Sequence, residues 1–333
     1  MNKNLIKIFK HNEIYIFIII GVLALVVNSF NRNFLTFENM FDLLKSNAME
    51  AVVALGVFVV LISGGIDVSF MAIATVSMYV AVMILKIIGG NILLAFLIAG
   101  FLGIILGGIN SSLISYFKIP TLIATLATMS IFHGLLIGLL IILGKSTHIP
   151  EVPEYFSTFK DGMVFTLQNK GGNEIGLPYL VLPVIIIYVI TWLILKYSTL
   201  GRNIYAIGGD IESARRAGLN IQGTQFFVYC YSGFLGGIAS VLHVSLLRYV
   251  NAFSLVGKEL DVIAMVVIGG AALSGGKGSV LGTFLGVLLL TIIKNSLILM
   301  GIPTLWDSVA VGFIIIISII VTKYRTKGKE LLV

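Results

Sequence analysis

Apolar residues run along this chain in long blocks separated by short polar intervals. Blocks at 14–30, 47–63, 68–88, 92–110, 121–143, 179–196, 226–247, 260–274, 280–300 and 305–322 predict ten helical spans. Most are about 17–23 residues long, the length a helix needs to cross a bilayer and too long for a barrel strand. The predicted fold is therefore an all-α, polytopic membrane protein, a single transmembrane domain over 1–333. Two pairs of spans are joined by glycine-rich breaks. Gly64, Gly65, Ile66 and Asp67 interrupt the second and third, and Ser274, Gly275, Gly276, Lys277 and Gly278 interrupt the eighth and ninth. Broken backbone at membrane depth is tolerated only where protein or water covers it. Breaks in similar places in the two halves also suggest an inverted repeat.

Glycines recur at four-residue spacing, as Gly103 with Gly107, Gly233 with Gly237, and Gly278 with Gly282 and Gly286. Such faces let helices approach closely, within the bundle or between subunits, although glycine is also simply common in membrane helices.

Composition narrows the class. Charged residues make up 11% of the chain against 58% hydrophobic, and the mean hydropathy is +1.06. A soluble domain carries about 25% charged residues, so this chain cannot cover a water-facing surface and belongs in a lipid bilayer. The net charge of +7 does not signal nucleic acid, because the basic residues flank apolar blocks as orientation determinants do. Lys3, Lys7 and Lys10 precede the first block, and Lys323, Arg325, Lys327 and Lys329 follow the last. Both termini are thus expected in the cytoplasm. No small-residue cleavage site follows Val27, so the first block reads as a retained span. The interval 144–177 is slightly acidic and suits the outside.

The interval 197–224 is the one long polar, basic segment between apolar blocks, and the same rule places it inside. Within it, Asp210, Ile211, Glu212, Ser213, Ala214, Arg215, Arg216, Ala217 and Gly218 read as a short helix. Asp210 serves as N-cap, Glu212 sits in the first turn, the arginines come later and Gly218 ends it. By charge alone the segment reads as a solvated connector before it reads as a handle for another protein.

Little in the chain could carry covalent chemistry. Cys230 is the single cysteine, and no pair among the four histidines has metal-ligand spacing. The run from Gly275 to Ser279 lacks the first glycine and the Ser/Thr of a phosphate loop. Ser274 lacks the later histidine of an intramembrane protease dyad, and no strand precedes Gly208 and Gly209 to make a dinucleotide fingerprint. Asp67 is the sharpest polar residue. It is either a helix cap, alone or with Ser69, or a pathway residue facing water, and Asn110 is a further polar candidate within a span. Lys86, Lys118 and Lys294 read as snorkelling, and His133 and His243 as helix-to-helix bonds. With so few intramembrane charges, an ion-coupled transporter is the weaker alternative.

Four blocks carry a family resemblance: ALGVFVVLISGGIDVSFMAI (54–73), KIPTLIATLATMSIFHG (118–134), STLGRNIYAIGGDIESARRAGLNI (198–221) and KELDVIAMVVIGGAALSGGKGSVLGTFLG (258–286). Their order and spacing resemble the permease subunit of bacterial ATP-binding cassette importers of the ribose and simple-sugar type. The resemblance implies no catalysis in this chain and no cofactor of its own, with ATP and Mg held by a cytoplasmic ATPase. It implies a second permease copy or paralogue and an extracytoplasmic solute-binding protein, in the bacterial cytoplasmic membrane. It makes the helix from Glu212 to Gly218 the part that docks on the ATPase. The cargo it implies is a monosaccharide such as ribose, with a furanose-like autoinducer or a nucleoside as the alternative. The chain departs from the family pattern at Val68-Ser69-Phe70-Met71, at Gly209-Asp210 and at Lys277, which leaves the cargo open.

Overall fold

The computed structural model describes residues 12–168 and 174–299, with isolated positions between 301 and 316. The block at 305–322 and the basic clusters at both termini lie largely or wholly outside the described residues. What is described is mostly helical. Six helices are long and apolar enough to cross a membrane, or eight if each of two bent pairs counts as one span.

The helices are α1 (Asn12–Phe30), α2 (Phe37–Ser46), α3 (Ala48–Ile62), α4 (Phe70–Ile88), α5 (Ile92–Ser115) and α6 (Thr121–Ile142). They continue with α7 (Glu154–Asp161), α8 (Val181–Tyr197), α9 (Thr199–Gly209), α10 (Ile211–Arg216), α11 (Ile221–Leu247), α12 (Glu259–Ile268) and α13 (Val280–Leu299). Local sequence explains many of the boundaries. Asn91 and Asn220 accept hydrogen bonds from the third backbone N–H beyond them and so start α5 and α11. Gly89, at φ +72°, stops α4.

At the centre is α3. All but Glu50 of its fifteen residues are buried, because its sequence is apolar on every side. Helix α11 packs beside it and against α4 and α5, with 72% of its apolar window buried. Helix α1 lies at the rim, with 11% of its window buried, and presents Phe17, Leu25 and Phe30 outward. Together α3, α4 and α11 form the protein-facing interior, while α1, α5, α6 and α8 carry the exposed apolar side chains.

Two departures from ten equal spans have physical causes. The block 260–274 yields only the ten-residue α12, which starts one residue before it, and then a glycine-rich segment without helix. Ten residues reach about 15 Å, half a bilayer core. The block 47–63 forms α3, which meets α2 at a 52° bend. The structure also holds two small antiparallel ribbons that the all-α reading lacked. Strand β1 (His148–Ile149) pairs with β4 (Val250–Asn251), and β2 (Met163–Gln168) with β3 (Glu174–Pro178). Both ribbons belong to one end of the bundle. There Tyr79 bonds to the Ser146 carbonyl, Lys86 donates to Glu151 O at 3.1 Å and Arg248 pairs with Asp161.

The two breaks, 63–69 and 269–279, gather at the opposite end. Helices α3 and α12 both run toward that end, and α4 and α13 both run away from it. An inverted repeat would place equivalent breaks at opposite ends, so these two breaks are not its equivalent parts.

Candidate functional site

The polar interval after α8 is more structured than a connector with one short helix. Helix α8 turns by 76° into α9, whose start is fixed by Ser198, the Oγ of which accepts from Gly201 N at 3.0 Å. Helix α9 is amphipathic and buries Ile204, Ile207 and Gly208. Asp210 then ends α9 and caps α10. Its carboxylate accepts from Glu212 N at 3.2 Å and Ser213 N at 3.3 Å, and from the Ser213 hydroxyl. Hydrogen bonds from the Ser213 hydroxyl and the Glu212 backbone hold the Asp210 carboxyl below the usual carboxylate range. Arg215 pairs with Glu212 at 2.7 Å, one turn apart. Gly218, at φ +75°, takes the left-handed position, and Leu219 N closes back on Ala214 O at 3.1 Å. Only Ala214 faces the protein. Glu212, Ser213, Arg215, Arg216 and Ala217 are all exposed.

Immediately before this exposed helix, three backbones meet. A Cβ placed on Gly208 would lie 1.9 Å from Ile62 O and 2.7 Å from Gly276 N. One on Gly275 would lie 2.5 Å from Gly208 O and 2.8 Å from Gly64 Cα. Gly64, Gly275 and Gly276 have φ of +83°, +86° and +70°. Gly276 N donates to Ile62 O at 3.0 Å, and the Tyr205 hydroxyl of α9 donates to Gly278 O at 3.0 Å. The end of α9 is thus held against both breaks at once, main chain on main chain. Lys277 stands exposed at the same point.

One turn deeper lies Asp67, 2% exposed, on the extended stretch that links α3 to α4. Thr121 and Thr125 of α6 accept the backbone N–H groups of Ile66 and Val68, at 3.1 and 3.3 Å. Those bonds replace the helical ones that the break forgoes. Asp67 Oδ1 accepts from Ser69 N at 2.8 Å and Ser69 Oγ at 2.7 Å, and Oδ2 faces Ser232 Oγ of α11 at 3.4 Å. Asn110 Nδ2 donates to Ser69 Oγ at 2.6 Å. The carboxylate therefore closes an Asx-type turn onto Ser69 within a buried polar cluster, and neither Asp67 nor Ser69 caps α4 through its side chain, which corrects the capping expectation. Sequence reasoning named Asp67, Ser69 and Asn110 but missed Ser232, Tyr229, Thr121 and Thr125. The threonines, four apart in the 118–134 block, were the available signal.

The spaced glycines sit at helix crossings inside the chain. A Cβ on Gly233 would lie 2.2 Å from Gly103 O, one on Gly237 2.0 Å from Ala99 O, and one on Gly107 2.3 Å from Tyr229 O. The two four-residue faces of α5 and α11 therefore pack on each other. Gly282 and Gly286 bring α13 against Gly269 O, just past the end of α12, and Met265 O of α12, at 2.2 and 2.0 Å from the added Cβ. Gly278, at φ +148°, lies in the break before them. Other polar residues find partners near the far end. His133 Nε2 meets Ala252 O at 3.0 Å and His243 Nε2 meets Ser254 Oγ at 3.3 Å, both in the 248–258 loop and not on another helix. Lys294 does not snorkel but bonds Asp261 at 2.6 Å. At that end Asp42, Lys45, Ser46, Lys160 and Asn295 line an open cavity of about 330 Å³. Among the described residues no group of three His, Cys, Asp or Glu could hold a metal ion.

A family model described as the permease component of a branched-chain amino acid transport system matches residues 39–319. The chain is 32% identical over 307 residues to the ribose import permease protein RbsC of Bacillus subtilis, covering 92% of this chain and 91% of that one. It is 30% identical over 300 residues to RbsC of Escherichia coli K12, 90% of each chain. It is 27% identical over 317 residues to the autoinducer 2 import system permease protein LsrC of Photorhabdus luminescens, 95% of this chain and 91% of that one. No solved structure matches the chain.

Proposed function

The chain belongs to the family of permease components of branched-chain amino acid and related transport systems, and from that premise we propose that it carries ribose, or a closely related small sugar, inward as the membrane subunit of an ATP-binding cassette importer. The observation that carries this reading is the end-to-end similarity to ribose import permeases, which spans both breaks and the exposed helix. The chain is not itself an enzyme. A permease of this kind works with a separate ATPase and a solute-binding protein, and the nucleotide and its magnesium belong to the ATPase.

In this reading the end that holds the breaks faces the cytoplasm, and both termini lie on that side. Lys118, Arg202, Arg215, Arg216 and Lys277 support the orientation by the positive-inside rule. The interval 197–224 is then the coupling loop. Helix α10, with Glu212, Ser213, Arg215 and Arg216 exposed, enters the ATPase, while Gly208 ties it to both breaks. Closure of the ATPase moves α9 and α10, and the junction carries that movement to Gly64 and Gly275 and so to α3, α4, α12 and α13. The permease contributes two access states biased by its partner. The interval 144–177 and the polar cavity beside Lys160 face outward, where a binding protein releases its sugar. A second copy or a paralogue completes the pathway.

The test is reconstitution of the chain with its ATPase and binding protein in liposomes, followed by uptake of labelled ribose. ATP-dependent accumulation supports the assignment. Accumulation of a furanose-like autoinducer in place of ribose shifts the cargo to the one named by the LsrC relative. Uptake by the chain alone on an ion gradient overturns the assignment altogether.

A further inference from the structure

Helix α13 begins with a support borrowed from the far end of the chain. Ser279 is its N-cap: the carbonyl accepts from Thr283 N at 3.0 Å, and Oγ accepts from Gly282 N at 2.9 Å. A capping box would place a carboxylate three residues after the cap. That position is Gly282, where a Cβ would lie 2.2 Å from Gly269 O. Close packing on the end of α12 therefore rules out a carboxylate from α13 itself. One arrives from α1 instead. The Ser279 hydroxyl donates to Glu13 Oε1 at 2.7 Å, and Glu13 stands in the first turn of α1, 266 residues earlier. The hydroxyl thus spends its one proton on Glu13 and a lone pair on Gly282 N. A carboxylate beside the first N–H groups of α13 also suits the positive end of that helix.

The contact matters because of where it falls. Helix α1 is a rim helix, and Ile16 packs it on Leu285 and Leu289 of α13 along a thin apolar seam. Ser279 is the last residue of the second break. The residue before it, Gly278, is held by other helices. The Tyr205 hydroxyl of α9 donates to Gly278 O, and a Cβ on Gly278 would lie 2.7 Å from the Phe58 ring of α3. Two successive residues of the break are therefore fastened in different directions, Gly278 to α9 and α3, Ser279 to α1. Helix α9 leads directly into the exposed α10. A displacement of α9 reaches Gly278 first, and its passage into α13 depends on what fastens Ser279.

We propose that Glu13 is a positioning residue for the coupling movement: it completes the cap of α13 from α1 and so makes the peripheral first helix part of the unit that the second break moves. The inference rests on the importer reading, in which α9 and α10 carry the movement of the ATPase. With Glu13 bonded to Ser279, the start of α13 is fixed and follows the break together with α1. Without that bond the first turn of α13 frays, and the break flexes without carrying the helix. Glu13 acts through Ser279 and not on the cargo.

The experiment takes two readouts on the full-length chain. In detergent, Glu13→Ala should quicken amide exchange at Gly282 and Thr283 by roughly two- to tenfold, the range that one hydrogen bond commands. Glu13→Gln, which keeps an acceptor at the same reach, should restore most of the protection. In a Ser279→Ala background, Glu13→Ala should add nothing. In liposomes with the ATPase and the binding protein, Glu13→Ala should raise the ATP hydrolysed per sugar taken up by a similar factor, with Glu13→Gln close to the unaltered chain. Unchanged exchange in Glu13→Ala, or an equal effect of Glu13→Ala with and without the Ser279 hydroxyl, overturns the contact. An unaltered ratio of ATP to sugar in a variant whose exchange has quickened overturns the positioning role. If Glu13→Ala fails to fold, Glu13→Met, which keeps the stem and loses the acceptor, decides in its place. Absence of uptake by the unaltered chain counts against the importer reading, while exchange, read without partners or cargo, still decides the contact.

Discussion

Gly208 and Gly209 are neighbours with opposite surroundings, and the contrast makes a sharp test at the scale of single residues. A methyl group on Gly208 would strike Ile62 O and Gly276 N, while one on Gly209 meets nothing within 4 Å. Overpacking of this kind costs about 1–3 kcal/mol. Gly208→Ala is therefore expected to lower the melting temperature and to cut coupled uptake at least tenfold while ATP hydrolysis continues. Gly209→Ala should do neither. Equal behaviour of the two variants would remove the junction from the mechanism. A second residue-scale expectation concerns Asp261 and Lys294, each a little under one-third exposed. Lys294→Met should cost more than the ~0–1 kcal/mol of a surface pair and less than the ~3–5 kcal/mol of a fully buried one. Restoring neutrality with Asp261→Asn in the same chain should recover part of the loss in chemical denaturation.

Helix α10 is too short to persist on its own and rests on its two ends. At its start, the Asp210 carboxylate has a folded-state pKa below its unfolded value. The stabilisation it gives is present above the unfolded pKa and is lost as pH falls through the folded one. Amide exchange of Glu212 and Ser213, measured at falling pH and corrected for intrinsic rates, should stay slow through neutral and mildly acidic conditions and quicken only below the ordinary carboxylate range. At its end, proline cannot adopt the φ of +75° held by Gly218. Gly218→Pro should leave the ATPase active in the complex and abolish coupled uptake; normal coupled uptake would remove the docking role from α10. This stretch also shows what the sequence made legible. Asp210, Glu212 and Gly218 follow local rules and could be read directly. Helix α9 could not, because Thr199–Gly209 is short, contains three glycines and owes its helicity to burial of Ile204 and Ile207. Gly208 was equally hidden, since its partners lie more than sixty residues away on either side. The glycine pairs of the breaks were visible, but not the fact that they converge.

For the molecule as a whole, ten apolar blocks gave the class of protein correctly and its anatomy only in part. Hydropathy records how apolar a block is and not what surrounds it. Thus the 47–63 block, enclosed by protein on all sides, resembled the lipid-facing 14–30 block. The 260–274 block looked like a span although its helix ends at Ile268, because Gly269 and Gly270 are counted as mildly apolar while they break the helix. The short strand ribbons at the far end left no periodic signal at all. Two whole-molecule outcomes follow from an assembly whose energy source is a separate subunit. The purified chain should show no nucleotide hydrolysis above background, and sugar accumulation should appear only when ATPase and binding protein are both added. Accumulation without the ATPase would be decisive against this arrangement.

The meeting of Gly64, Gly208 and Gly275 is made of peptide units, with no side chain between them. A linkage of that composition has almost no slack to absorb displacement. Where that linkage carries the ATPase's movement, as proposed above, the walls of the passage can change with the cargo while the transmission stays as it is.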